Sequence, residues 1–188
     1  MDRRQFLKTA TAALSTAGVG VAPWRSALAQ AGSIKIGLLA PLTGVVASGG
    51  KEMVEGVQFY LDQVKSEMGG RKVELVIEDD ASNPDTALQK ARRLVEQGNC
   101  HMLIGNLLAN TGLAVANYVK GTGTPYFIPI IAADDLTQRQ RIKNVIRVAG
   151  YSASEFTHPL GDWALKQGYK KIATISQDCP GSAPVRQN

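Results

Sequence analysis

Ile34-Lys35-Ile36-Gly37-Leu38-Leu39-Ala40-Pro41-Leu42-Thr43-Gly44 opens on a short apolar run and closes on a proline and a glycine. Residues 34–39 read as a buried strand that enters a loop, because proline lacks the amide a strand ladder needs and glycine permits a tight turn. Residues 51–65 then carry Met53, Val54, Val57, Tyr60, Leu61 and Val64 at helical spacing, with Glu52, Glu55, Asp62 and Lys65 on the other face. The unit is a strand, a loop and an amphipathic helix.

The same unit recurs along the chain. After the break at Gly69-Gly70, residues 73–77 read as a strand, and Asp79-Asp80-Ala81-Ser82-Asn83-Pro84 is turn chemistry leading into a helix with Asp85 near its start. Ala87, Leu88, Ala91, Leu94 and Val95 form the buried stripe of that helix. Residues 102–104 and 126–130 are two more strand candidates, with a helix expected over 112–120 between them. Four strands thus alternate with three helices. The economical packing is an α/β fold: a parallel sheet covered on both faces by right-handed crossovers. The loops after Leu39, Ile77, Ile104 and Ile130 then open at the carboxyl edge of the sheet, where such folds bind ligands. Further on, residues 145–148 are expected as a strand, 152–167 as a helix presenting Phe156, Leu160, Trp163 and Ala164 on one side, and 171–176 as a strand. The last ten residues, 179–188, carry Pro180 and Pro184, show no periodicity and offer little to a core.

Composition narrows the function classes. The chain has 188 residues, 44% of them apolar, which is enough to bury a core. Arg3, Arg4, Lys8 and Arg25 against Asp2 give the first 31 residues a net +3 of the total +5, so the basicity belongs to the leader and no nucleic-acid partner is indicated. Arg3-Arg4-Gln5-Phe6-Leu7-Lys8 is followed by an uncharged stretch rich in Ala, Gly and Thr, too short and too mildly apolar to span a bilayer. Ala27-Leu28-Ala29 supplies the small-x-small pattern of a peptidase site. Residues 1–29 therefore resemble a twin-arginine signal peptide cleaved after Ala29, which implies a periplasmic address.

Catalytic motifs are incomplete. The stretch from Gly44 to Glu52 approaches a phosphate-binding loop, but Gly50 stands where the lysine should be and Glu52 would repel phosphate. Gly121-Thr122-Gly123 lacks a third glycine and precedes a strand, so the dinucleotide fingerprint fails too. His101 and His158 lack ligand spacing, and no serine sits in a nucleophile-elbow context. No cofactor is expected. Asp79 and Asp80 could hold a divalent cation, as in a magnesium-dependent α/β enzyme or a receiver-like domain; the reading favoured over it is that Asp80 and Asn83 bond the loop backbone and start the next helix. Cys100, next to an apolar strand, is expected to act as a small hydrophobe, with Cys179 its only possible disulfide partner. What remains is the loop edge: Pro41-Leu42-Thr43-Gly44 with Ser48-Gly49-Gly50, residues 105–111, and residues 129–133. Small residues let a ligand approach backbone amides, and a helix start favours a carboxylate. Asn110 and Thr111 are the expected side-chain donors.

These residues resemble the leucine/isoleucine/valine-binding branch of the type I periplasmic solute-binding proteins, the receptors of ABC importers. The resemblance rests on Ile34-Lys35-Ile36-Gly37 with Pro41-Leu42-Thr43-Gly44, Gly50 and Gly56, Asp79-Asp80 with Asn83-Pro84, Ile104-Gly105, Thr124-Pro125 with Ile128-Pro129, and Val145-Ile146-Arg147. It implies a non-enzymatic protein of two lobes that close on a small-molecule ligand, an amino acid or an aromatic or aliphatic carboxylate. Its implied partners are permease subunits, and it meets the membrane only through the transporter. Carried onto this chain, the first-lobe contacts are Ser48 and Gly49; Ala109, Asn110 and Thr111; and Ile130, Ile131 and Ala132. Ala109 stands where a carboxylate-binding serine is typical, Ala132 where a threonine is usual, and Gly49 where an aromatic residue can sit, which points from leucine or valine toward a less polar acid. The implied organisation is a first lobe over 34–147, the beginning of a second over 148–178 and an irregular tail over 179–188. Against the family the chain is expected to be cut short, with its final residues from a shifted frame and its capture of ligand by closure lost or weakened. A ligand-sensing regulatory domain of the same fold is the remaining alternative.

Overall fold

The computed structural model describes residues 32–150, 152–171 and 173. The signal peptide expected over 1–29, most of the strand expected over 171–176, and the irregular tail expected over 179–188 lie outside the described residues. The elements are β1 (Ile34–Ala40), α1 (Ala47–Gln63), β2 (Glu67–Met68), β3 (Arg71–Asp79), α2 (Pro84–Arg92), β4 (Met102–Gly105), α3 (Ala109–Thr122), β5 (Tyr126–Ile128), β6 (Val145–Arg147) and α4 (Ala153–Lys166). A single π-helical turn, Arg93–Gln97, extends α2, and a 3-10 turn, Asp134–Leu136, lies between β5 and β6.

The strands form one six-stranded sheet in the order β2-β3-β1-β4-β5-β6. All pairs are parallel except β2 with β3, a two-residue hairpin arm that the Gly69-Gly70 break makes possible and that the apolar pattern did not announce. From β1 the chain moves outward to β3 and then crosses back to β4 on the other side of β1. Right-handed crossovers in opposite directions put their helices on opposite faces. Accordingly α1 covers one face, where Met53 and Leu61 meet Ile36, Leu38, Ala40 and Val73. α2 and α3 cover the other, where Ala87, Ala91, Val115, Ala116 and Val119 pack with Leu39, Leu103, Tyr126 and Ile128. Cys100 is buried in this second core, and burial pushes its thiol pKa up, in line with a hydrophobic role.

Three differences from the sequence pattern bear on the site. Helix α1 begins at Ala47, four residues before the expected 51, and α3 begins at Ala109, three before the expected 112. Helix propensity undervalues both starts, the first because it contains Gly49 and Gly50 and the second because it contains Asn110 and Thr111. The missing side chains of Gly50 and Gly112 let the two helices pack close to the loops after β1 and β5. A Cβ on Gly50 would stand 2.0 Å from the Pro41 carbonyl oxygen, and one on Gly112 2.1 Å from Ile131 Cδ1. On α4, the stripe expected to be buried is mostly open: Leu160 and Trp163 are exposed, Ala164 is buried, and Trp163 meets the Tyr169 ring at 5.7 Å between centroids.

Candidate ligand-binding edge

The strand order reverses between β1 and β4, and the carboxyl ends of two such strands are the place where open parallel sheets take ligands. The loop after β1 and the loop after β4 flank it, and the loop after β5 lies beside them. Helix α1 starts on the first loop and α3 on the second, so two helix N-termini with partial positive charge reach this edge. Glycine sets their closeness. A Cβ on Gly49 would stand 3.0 Å from Leu107 Cδ2, so the start of α1 touches the loop after β4. Gly112 likewise brings α3 against Ile131, in the loop after β5.

Two carboxylates hold the edge together from beneath. Asp79 accepts hydrogen bonds from the Leu42 amide at 2.8 Å, the Thr43 amide at 3.4 Å, the Ala81 amide at 2.8 Å and the Thr43 hydroxyl at 2.7 Å. It thereby pins the loop after β1 to the end of β3. Burial alone would raise its pKa, but the hydrogen bonds from Thr43, Ala81 and Leu42 outweigh this and hold the carboxyl below its ordinary value. Asp80 is fully buried. Its carboxylate accepts from Asn106 Nδ2 at 2.6 Å and from the Ser82 amide at 2.9 Å, while its own amide donates to the Ala40 carbonyl at 3.1 Å. Asn106 continues the network: its Oδ1 accepts from the Tyr126 hydroxyl at 2.6 Å, and its amide donates to that same hydroxyl oxygen at 3.1 Å. Desolvation raises the Asp80 pKa, with the Asn106 and Ser82 bonds opposing it and the Asp79 charge adding to it. Burial also drives the Tyr126 phenol far above its ordinary value, which keeps it a neutral donor.

Each carboxylate oxygen of the Asp79-Asp80 pair is thus engaged by a protein donor, as expected for turn residues and not for a cation site. Asn83 completes the turn by accepting from the amides of Asp85 and Thr86 at 2.9 and 3.0 Å, capping α2.

The eight residues singled out by the sequence divide by exposure. Ser48 is exposed and Gly49 partly so in the first turn of α1; Ala109 and Asn110 are partly exposed in the first turn of α3; Ile130 is exposed and Ala132 partly so after β5. Thr111 and Ile131 are buried. Because α3 starts early, Thr111 is a helical residue, and its hydroxyl donates to the Leu108 carbonyl at 2.9 Å. Asn110 Oδ1 accepts from the Thr111 amide at 2.9 Å. Ile131 packs in the second core.

Some residues that shape the edge carried no local signal. Tyr126 reads as one more apolar strand residue, and its hydroxyl function depends on a partner 20 positions away. Asn106 lies in the glycine-containing stretch but is marked by nothing else. Arg147 donates to the carbonyls of Ile131 and Ala133 and to the Thr137 hydroxyl. A separate groove of about 420 Å³ between α1 and β3 is lined by Gln58, Leu61, Asp62, Ser66, Leu75 and Ile77 and shares no residue with this edge.

Residues 33–188 match the family described as periplasmic binding protein. The Leu/Ile/Val-binding protein BraC3 of Rhizobium johnstonii is 36% identical over 146 residues, 77% of this chain and 38% of that protein. Among solved structures, a solute-binding protein of an ABC transporter from Rhodopseudomonas palustris BisB5, in complex with 3,4-dihydroxybenzoic acid, is 26% identical with a TM-score of 0.66, covering 72% of this chain and 37% of that one. A second R. palustris solute-binding protein, in complex with benzoate, is 28% identical with a TM-score of 0.66, covering 73% and 38%. The chain therefore spans under two-fifths of the length of these relatives.

Proposed function

Because the chain belongs to the periplasmic binding protein family, whose members are not enzymes, we propose that it carries the ligand-gripping lobe of a periplasmic receptor for an ABC importer, and that its ligand is a small carboxylate. Residues 34–147 form that lobe and 148–178 begin a second. The observation that carries the reading is the convergence of two helix starts, one holding Gly49 and Gly50 and the other Gly112, and the loop after β5 on the carboxyl edge between β1 and β4. Such an edge offers backbone amides and helix-end charge to an anion and holds no group arranged for bond making or breaking.

The ligand we favour is an aromatic carboxylate. Ala109, Ala132 and Gly49 present few hydroxyls, a surface suited to an apolar ring beside a carboxylate more than to the ammonium of an amino acid. Two of the similar solved structures hold 3,4-dihydroxybenzoic acid and benzoate, which supports this choice, while the similarity to BraC3 keeps leucine as the comparison ligand. Ser48, Gly49, Ala109, Asn110, Ile130 and Ala132 would supply the contacts, with Thr111 and Ile131 holding the rim from within. Calorimetric titration of the chain with benzoate and with leucine is the test. The expected outcome is saturable heat with benzoate at least about tenfold tighter than with leucine, a difference of ~1.4 kcal/mol. Tighter binding of leucine would overturn the ligand assignment, and binding as tight as that of a full-length relative titrated alongside would overturn the expectation that capture by closure is weakened in a chain spanning under two-fifths of its relatives.

A further inference from the structure

Residues 130–137 follow β5 without regular structure except for one 3-10 turn, yet they include the part of the rim assigned above to ligand contact. A single side chain spans this segment. Arg147, at the end of β6, donates through Nη1 to the Ile131 carbonyl, and through Nη2 to the Ala133 carbonyl at 2.9 Å and to the Thr137 hydroxyl at 3.0 Å. The guanidinium suits this task because its donors lie in one plane at fixed angles, so bonding two carbonyls two residues apart fixes their separation as well as their distance from the strand. Bonds from a charged donor are also stronger than neutral ones, more so where water is partly excluded.

The far end of the segment is tied as well. Gln138 Nε2 donates to Ser152 Oγ at 2.9 Å, and Asp134 Oδ1 accepts from the Ser154 hydroxyl at 3.3 Å and its amide at 3.4 Å, at the start of α4. The rim segment is therefore fastened both to β6 and to the helix that the chain enters after leaving the sheet.

We propose that Arg147 is a positioning residue: its guanidinium sets the conformation of the Ile130–Ala132 rim and links that rim to the segment through which the chain passes out of the sheet into α4. Its importance to the rim rests on the ligand reading given above, whereas the clamp itself does not.

Amide hydrogen exchange on the full chain tests the clamp without ligand. In Arg147→Met, amides of 130–138 should exchange roughly tenfold faster or more, as expected for the loss of charge-assisted hydrogen bonds, while amides of 36–40 and 103–105 change by less than about threefold. Arg147→Lys keeps the charge but not the fork, and should loosen the same segment. Should Arg147→Met fail to fold, Thr137→Val removes one acceptor and should still accelerate exchange locally by about threefold or more. Unchanged exchange over 130–138 in the folded variants, wild-type behaviour of Arg147→Lys, or equal acceleration in loop and strands would overturn the proposal. Absence of benzoate binding by the wild-type chain would instead fall on the ligand reading alone.

Discussion

Asp79 and Asp80 are neighbours in sequence and opposite in chemistry. Asp79 sits partly exposed among four donors that favour its charge, and Asp80 sits fully buried with two. Asp79 has its pKa lowered by folding, so its contribution is fully present above the unfolded aspartate value of about 3.9 and is lost as pH falls through the lower folded value. Asp80 has its pKa raised, so its ionised form opposes folding at neutral pH and this opposition is relieved as pH falls through the raised value. Asp79→Asn should therefore be less stable than wild type at neutral pH, with the gap in urea midpoints closing below about pH 4. A gap that stayed constant down to acid unfolding would show that the Asp79 hydrogen bonds do not depend on its charge. The pair was legible in the sequence as turn chemistry because Asp, Ser and Asn accept from nearby backbone amides. Its long-range half, Asp80 to Asn106 to Tyr126, was not, since hydrogen bonds across 26 and 20 positions leave no local periodicity.

Among the elements, the helix starts govern the edge. Gly50 is the residue against which α1 approaches the loop after β1, and an added Cβ would meet the Pro41 carbonyl oxygen, a backbone atom that cannot rotate away. Gly50→Ala should cost about 1–3 kcal/mol in chemical denaturation despite the better helix propensity of alanine, because steric overlap outweighs the fraction of a kcal/mol gained from propensity. A stabilised Gly50→Ala would mean that the helix start sits farther from Pro41. The parallel strands and their intervening helices were readable from apolar runs and helical spacing, because each element buries one face and the burial is written in its period. The early start of α1 was not, because Gly49 and Gly50 penalise a helix locally while close packing rewards them, and that of α3 was not, because Asn110 and Thr111 have low helix propensity. For the same reason Thr111 reads as a loop residue, whereas it lies in the first turn of α3 with its hydroxyl bonded to the Leu108 carbonyl. On α4 the spacing of Leu160, Trp163 and Ala164 is helical and apolar, but periodicity cannot say whether a partner covers the face, and Leu160 and Trp163 remain exposed.

For the molecule as a whole, the two faces of the sheet are unequally covered. Across one row on the α1 side, Leu38 pairs with Ile104, Ile104 with Phe127 and Phe127 with Ile146. Exposure climbs along that row from 0% at Leu38 to 42% at Ile146. Leu38→Ala should therefore cost about 2–5 kcal/mol, the range for emptying a well-packed core site, whereas Ile146→Ala should cost less than about 1 kcal/mol. Equal losses in urea denaturation would mean that the β4–β6 side of this face is covered in solution.

The account stands or falls on where a small carboxylate touches the molecule, and amide NMR of the labelled chain titrated with benzoate reads this directly. Saturable shifts should concentrate on residues 48–50, 109–112 and 130–133, around the carboxyl edge between β1 and β4. Shifts confined to the groove between Gln58, Leu61 and Leu75, or scattered over the surface without saturation, would contradict it.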